Sequence, residues 1–169
     1  YLFGTKYTPL SITCSGTGLM EMAIVNLTNP GDEVIVINGG NFGKKWVQMC
    51  SSFGLSIREF KVDHGKGPDL EKLSTFVNNK TKALFINAHE TSTGYLYDLR
   101  SISQLINGIN KNILFIVDGV SSIGADEYKM DEWGIDCSMV CSQKALAAMP
   151  GMSFIVFSDK AKNQIKQTS

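Results

Sequence analysis

Three groups of residues in the chain have the types and spacing needed to bind and activate one small cofactor. Lys144 follows an apolar stretch and precedes a Pro-Gly turn, and twenty-six residues upstream the apolar run 113–117 ends in Asp118. Near the start, residues 15–18 (Ser-Gly-Thr-Gly) open a predicted helix, whose amino end would favour a phosphate. An anion site at a helix end, a carboxylate after a strand and a later lysine amine are together the groups that hold pyridoxal 5′-phosphate.

Lys144 and Asp118 are the candidate catalytic residues, and each has a chemical role in this interpretation. Lys144 would act as a nucleophilic amine toward the cofactor aldehyde and afterwards carry a proton between the substrate Cα and the cofactor. Asp118 would pair with the pyridine nitrogen and keep the ring protonated, so that the ring withdraws electrons. Taken singly, Lys144 could be a surface lysine and Asp118 a helix cap. Their combination favours an enzyme.

Two other phosphate-binding folds are less consistent with these motifs. A dinucleotide site needs G-x-G-x-x-G, but Glu21 stands at the third glycine position, and Asn38 rather than an acid ends the following predicted strand. A P-loop ATPase could use Asp118 for magnesium, but residues 39–45 have one residue too few between their glycines and a lysine where Ser or Thr should bind the metal. Residues 15–18 could also form only a tight turn.

Composition sets limits on the function. The 169 residues include 16 basic and 16 acidic ones, so no net field directs the chain to nucleic acid or to an anionic membrane. No apolar run approaches the roughly 20 residues that span a bilayer. The scattered cysteines contain no C-x-x-C pair, so we expect no metal site and predict buried, reduced thiols and a cytoplasmic location. These cysteines are Cys14, Cys50, Cys137 and Cys141.

Strands and helices alternate along almost the whole chain. We predict strands at residues 34–37, 57–62, 83–86, 113–117, 139–141 and 154–157, and helices at residues 19–27, 41–53, 70–77 and 98–109. Asp69 is a candidate amino-terminal cap, and Gly54 a candidate left-handed cap. This alternation predicts an α/β fold, a three-layer αβα sandwich with a mostly parallel sheet, in which ligands bind at the carboxyl ends of the strands. The loops at or near such ends hold Thr17, Thr91, Asp118 and Lys144.

Taken in order, these motifs resemble those of the class V aminotransferases, a family of fold-type I pyridoxal-phosphate enzymes. The chain is most similar to the alanine–glyoxylate and serine–pyruvate aminotransferase group. The matching segments are residues 15–18 with 21–26, 30–32, 91–94, 117–122, and 142–146 followed by 150–151. They cover nearly all 169 residues, and it is their joint occurrence that is specific.

The resemblance implies a set of cofactor contacts. They are Thr17 and Gly18 at the phosphate, Phe42 and Val120 on the two ring faces, Thr91 at the phenolic oxygen edge, Asp118 at the pyridine nitrogen, Gln143 beside the phosphate or ring, and Lys144 as the covalent link. Phe42 and Val120 could equally be core residues, although a flat ring does need one aromatic and one aliphatic contact. His89 is expected to form a local hydrogen bond.

The resemblance also implies what the whole protein would be. Residues 1–169 would form the cofactor-binding large domain of a longer chain, without an N-terminal segment and a smaller C-terminal domain. The protein would be a homodimer with active sites shared at the subunit interface. Its reaction would move an amino group from an amino acid of the alanine, serine or aspartate type to a 2-oxo acid such as glyoxylate or pyruvate.

Several alternatives remain open. A 2-aminoethylphosphonate–pyruvate aminotransferase has the same fold, and Leu19 stands where some relatives have histidine, which leaves the amino donor undecided. A cysteine desulfurase typically places histidine over the ring and before the lysine, where this chain has Phe42 and Gln143. A cofactor-free interaction domain would have no physical need to keep both Asp118 and Lys144.

Overall fold

A seven-stranded sheet between two layers of helices forms the fold of residues 2–168, which the computed structural model describes. The strands are β1 (Leu10–Ile12), β2 (Glu33–Asn38), β3 (Ser56–Lys61), β4 (Thr81–Asn87), β5 (His89–Glu90), β6 (Tyr95–Leu96), β7 (Leu114–Asp118), β8 (Cys137–Cys141) and β9 (Ser153–Phe157). The helices are α1 (Gly16–Leu27), α2 (Asn41–Ser52), α3 (Leu70–Phe76), α4 (Leu99–Ile109) and α5 (Asp159–Ile165).

The strand order is β1-β9-β8-β7-β4-β2-β3, and neighbouring strands from β8 to β3 are parallel. β9 pairs antiparallel with both β8 and β1. The short connection from β8 leaves no room for the crossover helix that a parallel β8–β9 pair would need. β5 and β6 form a separate small hairpin. The predicted three-layer α/β sandwich with a mostly parallel sheet is confirmed.

Both faces of the sheet are covered, which explains why the central strands β2, β4 and β7 each contain an uninterrupted run of four apolar residues. Along β2, Val34 and Val36 face α1, α2 and α5, whereas Ile35 and Ile37 face α3 and α4. Trp46 of α2 is fully buried on the first side. Within residues 2–168 no helix is both long and apolar enough to cross a membrane.

The helix ends follow the local sequence signals. Asp69 accepts a hydrogen bond from the N–H of Lys72 at the start of α3, as predicted. Asp98 caps α4 in the same way through the N–H of Ser101. Gly54 has φ 72° just after α2, so the predicted left-handed cap is confirmed.

Three features of the fold are absent from the sequence prediction. β1 has only three residues and owes its extended form to pairing with β9, so it carries no alternating pattern of its own. The β5–β6 hairpin pairs only two residues on each side. α5 is a polar helix in which only Ala161 is buried, and it depends on the cap that Ser158 provides at the N–H of Ala161.

All four cysteine thiols are unpaired. Cys14 is partly exposed, contrary to the prediction of burial, whereas the other three are buried. Burial raises the pKa of Cys50 to about 12, and it also raises the pKa values of Cys137 and Cys141. These three side chains are therefore protonated at neutral pH and are weak nucleophiles.

Candidate active site

The carboxyl ends of β4 and β7 border a cavity of about 230 Å³ together with the amino-terminal turns of α1 and α2. Seven of the eight predicted site residues line it, namely Thr17, Phe42, Thr91, Asp118, Val120, Gln143 and Lys144. The eighth, Gly18, is not among the lining residues, and its N–H donates to Ser15 Oγ at 3.2 Å. A contact between Gly18 and a phosphate stays a prediction.

Asp118 is the buried carboxylate at the base of this cavity. It ends β7 beside Asn87 of the neighbouring strand β4, with only 9% of its surface exposed. Burial raises the pKa of Asp118 to about 6, although the 2.9 Å hydrogen bond from the N–H of Val120 and the charge of Lys45 lower it. A cationic hydrogen-bond donor in the cavity would stabilise the ionised form of this carboxylate.

Phe42 and Val120 border the cavity from different elements. Phe42 is the second residue of α2, and Val120 follows the end of β7. Nearby, the hydroxyl groups of Thr91 and Ser121 lie 3.1 Å apart in a hydrogen bond, which fixes the loop after β5 against the loop after β7. The cavity therefore offers an aromatic surface, an aliphatic surface and an ordered hydroxyl pair.

A cation stands at the amino end of α1, where an anion would bind. Lys45 Nζ of α2 contacts Thr17 Oγ1 of α1, and both side chains line the cavity. An ammonium group and a helix amino end both attract negative charge, so together they form a stronger phosphate site than the helix alone. Lys45 was not predicted as a site residue from the sequence, although its spacing of three residues from Phe42 places both on one face of the helix.

Lys144 lies in the closed loop that connects β8 to β9. Ser142 closes this loop, because its hydroxyl donates to Met149 O at 2.6 Å and its carbonyl accepts from the N–H of Ala148 at 2.9 Å. Lys144 itself is exposed. Its positive charge lowers the pKa of Asp118, although by less than the charge of Lys45 does.

Ala147, in the same loop, has a left-handed backbone with φ 51°, which is unfavourable for an L-residue other than Asn or Gly. We expect Ala147→Asn to stabilise the protein by about 0.5–1 kcal/mol, because asparagine tolerates this conformation. Ala147→Val should destabilise it by about 1–2 kcal/mol. Urea unfolding measures both changes. Ala148→Asn is the matched control, and equal effects at the two positions would contradict the strain argument.

Two buried polar atoms beside the cavity have no hydrogen-bond partner within residues 2–168. They are Asn87 Oδ1 and His89 Nδ1, and both residues line the cavity. The prediction that His89 forms a local hydrogen bond is therefore wrong for its Nδ1 atom. Leaving a buried polar atom unpaired costs about 1–3 kcal/mol, so a ligand or water in the cavity that pairs with these two atoms would be stabilised by them. Neither residue was singled out as a site residue from the sequence.

Comparison with known proteins agrees with this geometry. Residues 2–169 match the family model described as aminotransferase class-V. The L-aspartate–glyoxylate aminotransferase of Paracoccus denitrificans is 31% identical over 156 residues, covering 90% of this chain and 39% of that protein. The serine–glyoxylate aminotransferase of Arabidopsis thaliana is 34% identical over 166 residues, covering 96% and 41%. The chain thus spans about two fifths of the length of the curated relatives it matches.

A solved structure gives the same result in three dimensions. The alanine–glyoxylate aminotransferase from Nostoc sp. superposes with a TM-score of 0.92 at 31% identity, covering 99% of this chain and 44% of that one. The resemblance seen in the motifs is therefore confirmed by the whole sequence and by the fold. The chain belongs to the class V aminotransferase family.

Proposed function

We propose that the protein is a pyridoxal-phosphate-dependent aminotransferase, a transferase that moves an amino group from a small amino acid to a 2-oxo acid. The observation that carries this proposal is the arrangement around one cavity. A buried carboxylate, Asp118, and a lysine amine, Lys144, face the same space as the helix amino end beside Lys45. This donor and acceptor set suits a flat, phosphorylated ring with a protonated nitrogen.

The chain's own residues would hold and serve such a cofactor. Thr17 and Lys45 would bind the phosphate, Phe42 and Val120 would contact the two ring faces, and Asp118 would accept the hydrogen bond of the pyridine nitrogen. When bound, the cofactor supplies the aldehyde that takes the amino group and the ring that withdraws electrons. Lys144 would take the proton from the substrate Cα and return it to the carbon that was the cofactor aldehyde, and Thr91 and Gln143 would fix the ring edge and the phosphate.

The substrates and the assembly belong to the same proposal. Relatives named for aspartate, serine or alanine as donor and for glyoxylate as acceptor support a small donor of this type and glyoxylate or pyruvate as acceptor. We also propose that these residues are the large domain of a homodimer with shared active sites. The unpaired thiols support a reducing, cytoplasmic location.

A desulfurase on the same fold is less consistent with the site. Its chemistry needs a nucleophilic cysteine, and burial raises the pKa values of Cys50, Cys137 and Cys141. This leaves Cys14, whose side chain is partly exposed, as the one candidate nucleophile among these four thiols. Phe42 and Gln143 also stand where such enzymes have histidines.

The absorbance spectrum of the intact protein tests the proposal. We expect a yellow band with bound cofactor, and we expect L-alanine, L-serine or L-aspartate to convert it to the aminated form. Conversion by 2-aminoethylphosphonate alone would support the phosphonate alternative. Absence of a band after incubation with pyridoxal phosphate would contradict the proposed function.

Lys45→Gln is expected to weaken cofactor binding about tenfold, because the loss of one charge-assisted phosphate contact is worth roughly 1.4 kcal/mol. The dissociation constant of pyridoxal phosphate, measured by absorbance titration, checks this. Pyridoxal, which lacks the phosphate, should bind equally well to both proteins. Lys44→Gln is the control, because Lys44 is exposed on the same helix and does not line the cavity. An equal loss in both variants would contradict a specific contact.

A further inference from the structure

Glu90 is a completely buried carboxylate that the proposed chemistry does not use. It ends β5 beside the cavity and has 0% of its surface exposed. Within residues 2–168 no lysine, arginine or histidine forms an ion pair with it. A buried charge without a cation is costly unless hydrogen-bond donors surround it. Five hydrogen-bond donors surround the Glu90 carboxylate, and their positions indicate its role.

Two of these donors belong to the first turn of α2. Glu90 Oε2 accepts from the N–H of Gly43 at 2.9 Å, and Oε1 accepts from the N–H of Phe42 at 3.3 Å. The local N-cap residue, Gly40, offers no side chain of its own. A Cβ on Gly40 would lie 2.7 Å from Glu90 Cδ, so glycine leaves the space that the carboxylate occupies. Glu90 thus caps α2 from another element, at its positive end.

Ser92 extends this cap. Its hydroxyl donates to Glu90 Oε1 at 2.5 Å and accepts from the N–H of Asn41 at 2.9 Å. Its own N–H also donates to Glu90 Oε1 at 3.3 Å. The turn of the small hairpin and the start of α2 are therefore held together through one carboxylate, and Phe42 is the second residue of that helix.

The fifth donor lies at the base of the cavity. Asn87 Nδ2 donates to Glu90 Oε2 at 3.2 Å, which fixes the orientation of the Asn87 amide. The flipped amide would place its oxygen against the carboxylate, so Asn87 must present Oδ1, an acceptor without a partner, away from Glu90. This acceptor lies on the residue that pairs with Asp118 in the sheet.

We propose that Glu90 is a positioning residue for the cofactor ring, which it serves by holding Phe42 at one wall of the cavity and the Asn87 amide beside Asp118 at its base. The inference rests on the proposed function. In this proposal the small β5–β6 hairpin provides Glu90, which caps α2, and the first turn of α2 provides the aromatic side chain of Phe42.

Glu90→Gln tests this in the intact protein. The introduced amide has one acceptor oxygen and must point its NH₂ group at N–H donors, so the first turn of α2 loses part of its cap. In the cofactor-free protein we expect hydrogen exchange at the Phe42 and Gly43 amides to become at least tenfold faster. We also expect the dissociation constant of pyridoxal phosphate to rise at least tenfold, and the visible circular dichroism of the bound cofactor to change.

Glu33→Gln is the matched control, because Glu33 also accepts a side-chain amide, that of Asn78 at 2.7 Å, but at the opposite end of β2. Ser92→Ala replaces Glu90→Gln in this test if Glu90→Gln does not fold. It should also speed hydrogen exchange at the Phe42 and Gly43 amides and raise the dissociation constant of pyridoxal phosphate, by smaller factors. Unchanged exchange, or faster exchange with unchanged cofactor binding and dichroism, would overturn the inference while the proposed function stands. If the unaltered protein binds no cofactor, both are overturned.

Discussion

Lys144→Ala is expected to abolish turnover, lowering kcat by a factor on the order of 10³ or more, while the protein still binds cofactor. Lys144 is the amine proposed to attack the cofactor and then to carry the proton, and removal of such a group affects both steps. Binding should persist because the phosphate and ring contacts proposed for Thr17, Lys45 and Phe42 do not depend on it. Single-turnover kinetics with a donor amino acid, combined with absorbance titration, separates the two effects.

Two controls make this prediction specific. Lys44→Ala removes an exposed lysine that does not line the cavity, and it should leave kcat unchanged. Added methylamine should partly restore turnover to Lys144→Ala, because a small free amine can occupy the space and accept a proton. Near-normal turnover of the variant without added amine would show that the assignment of Lys144 is wrong.

Much of the fold follows from local sequence signals. The strands β2, β4 and β7 could be predicted from the sequence because helices cover both faces of the sheet. Residues on both faces are therefore apolar, and each strand contains a continuous apolar run. The caps at Asp69 and Asp98 mark helix starts through hydrogen bonds to residues three positions later. β1 could not be predicted in this way, because its pairing with β9 depends on residues more than a hundred positions away.

The same distinction between local sequence signals and contacts between distant residues applies to the site. Asp118 is predictable because an acid at the end of an apolar strand stands out in the sequence, and Lys144 because it completes a motif. The contact of Lys45 with Thr17 joins separate elements, and so do the three hydrogen bonds that Glu90 accepts from Phe42, Gly43 and Asn87. Only the folded chain shows these contacts.

Asp118→Asn is expected to stabilise the cofactor-free protein above pH 6 while it impairs catalysis. The pKa of Asp118 is raised from 3.8 to about 6, chiefly by burial, so the folded protein binds this proton more tightly than the unfolded chain does. Stability is therefore highest where the carboxyl is protonated and falls as the pH rises from about 4 to 6. The loss is roughly 3 kcal/mol, from 1.36 kcal/mol per pKa unit.

Asparagine removes this penalty because it is neutral and can still accept the hydrogen bond that Val120 donates to Asp118. We expect the free energy of unfolding of the variant to exceed that of the unaltered protein by up to about 3 kcal/mol at pH 7.5, and the two to converge near pH 4. Urea unfolding of the cofactor-free proteins across this range checks the sign. A difference that does not vary with pH would contradict the prediction.

Asp98→Asn is the informative comparison, because its carboxylate is exposed and accepts from the Ser101 hydroxyl and N–H, which lower the pKa of Asp98. That variant should gain no stability at pH 7.5. With saturating cofactor, the unaltered protein should become more stable than Asp118→Asn, because the ionised carboxylate binds a protonated ring more tightly than asparagine does. A carboxylate that pairs with the cofactor should lower the free energy of unfolding of the cofactor-free protein and raise that of the cofactor-bound protein. A carboxylate kept only for the fold would lower the stability of Asp118→Asn in both forms.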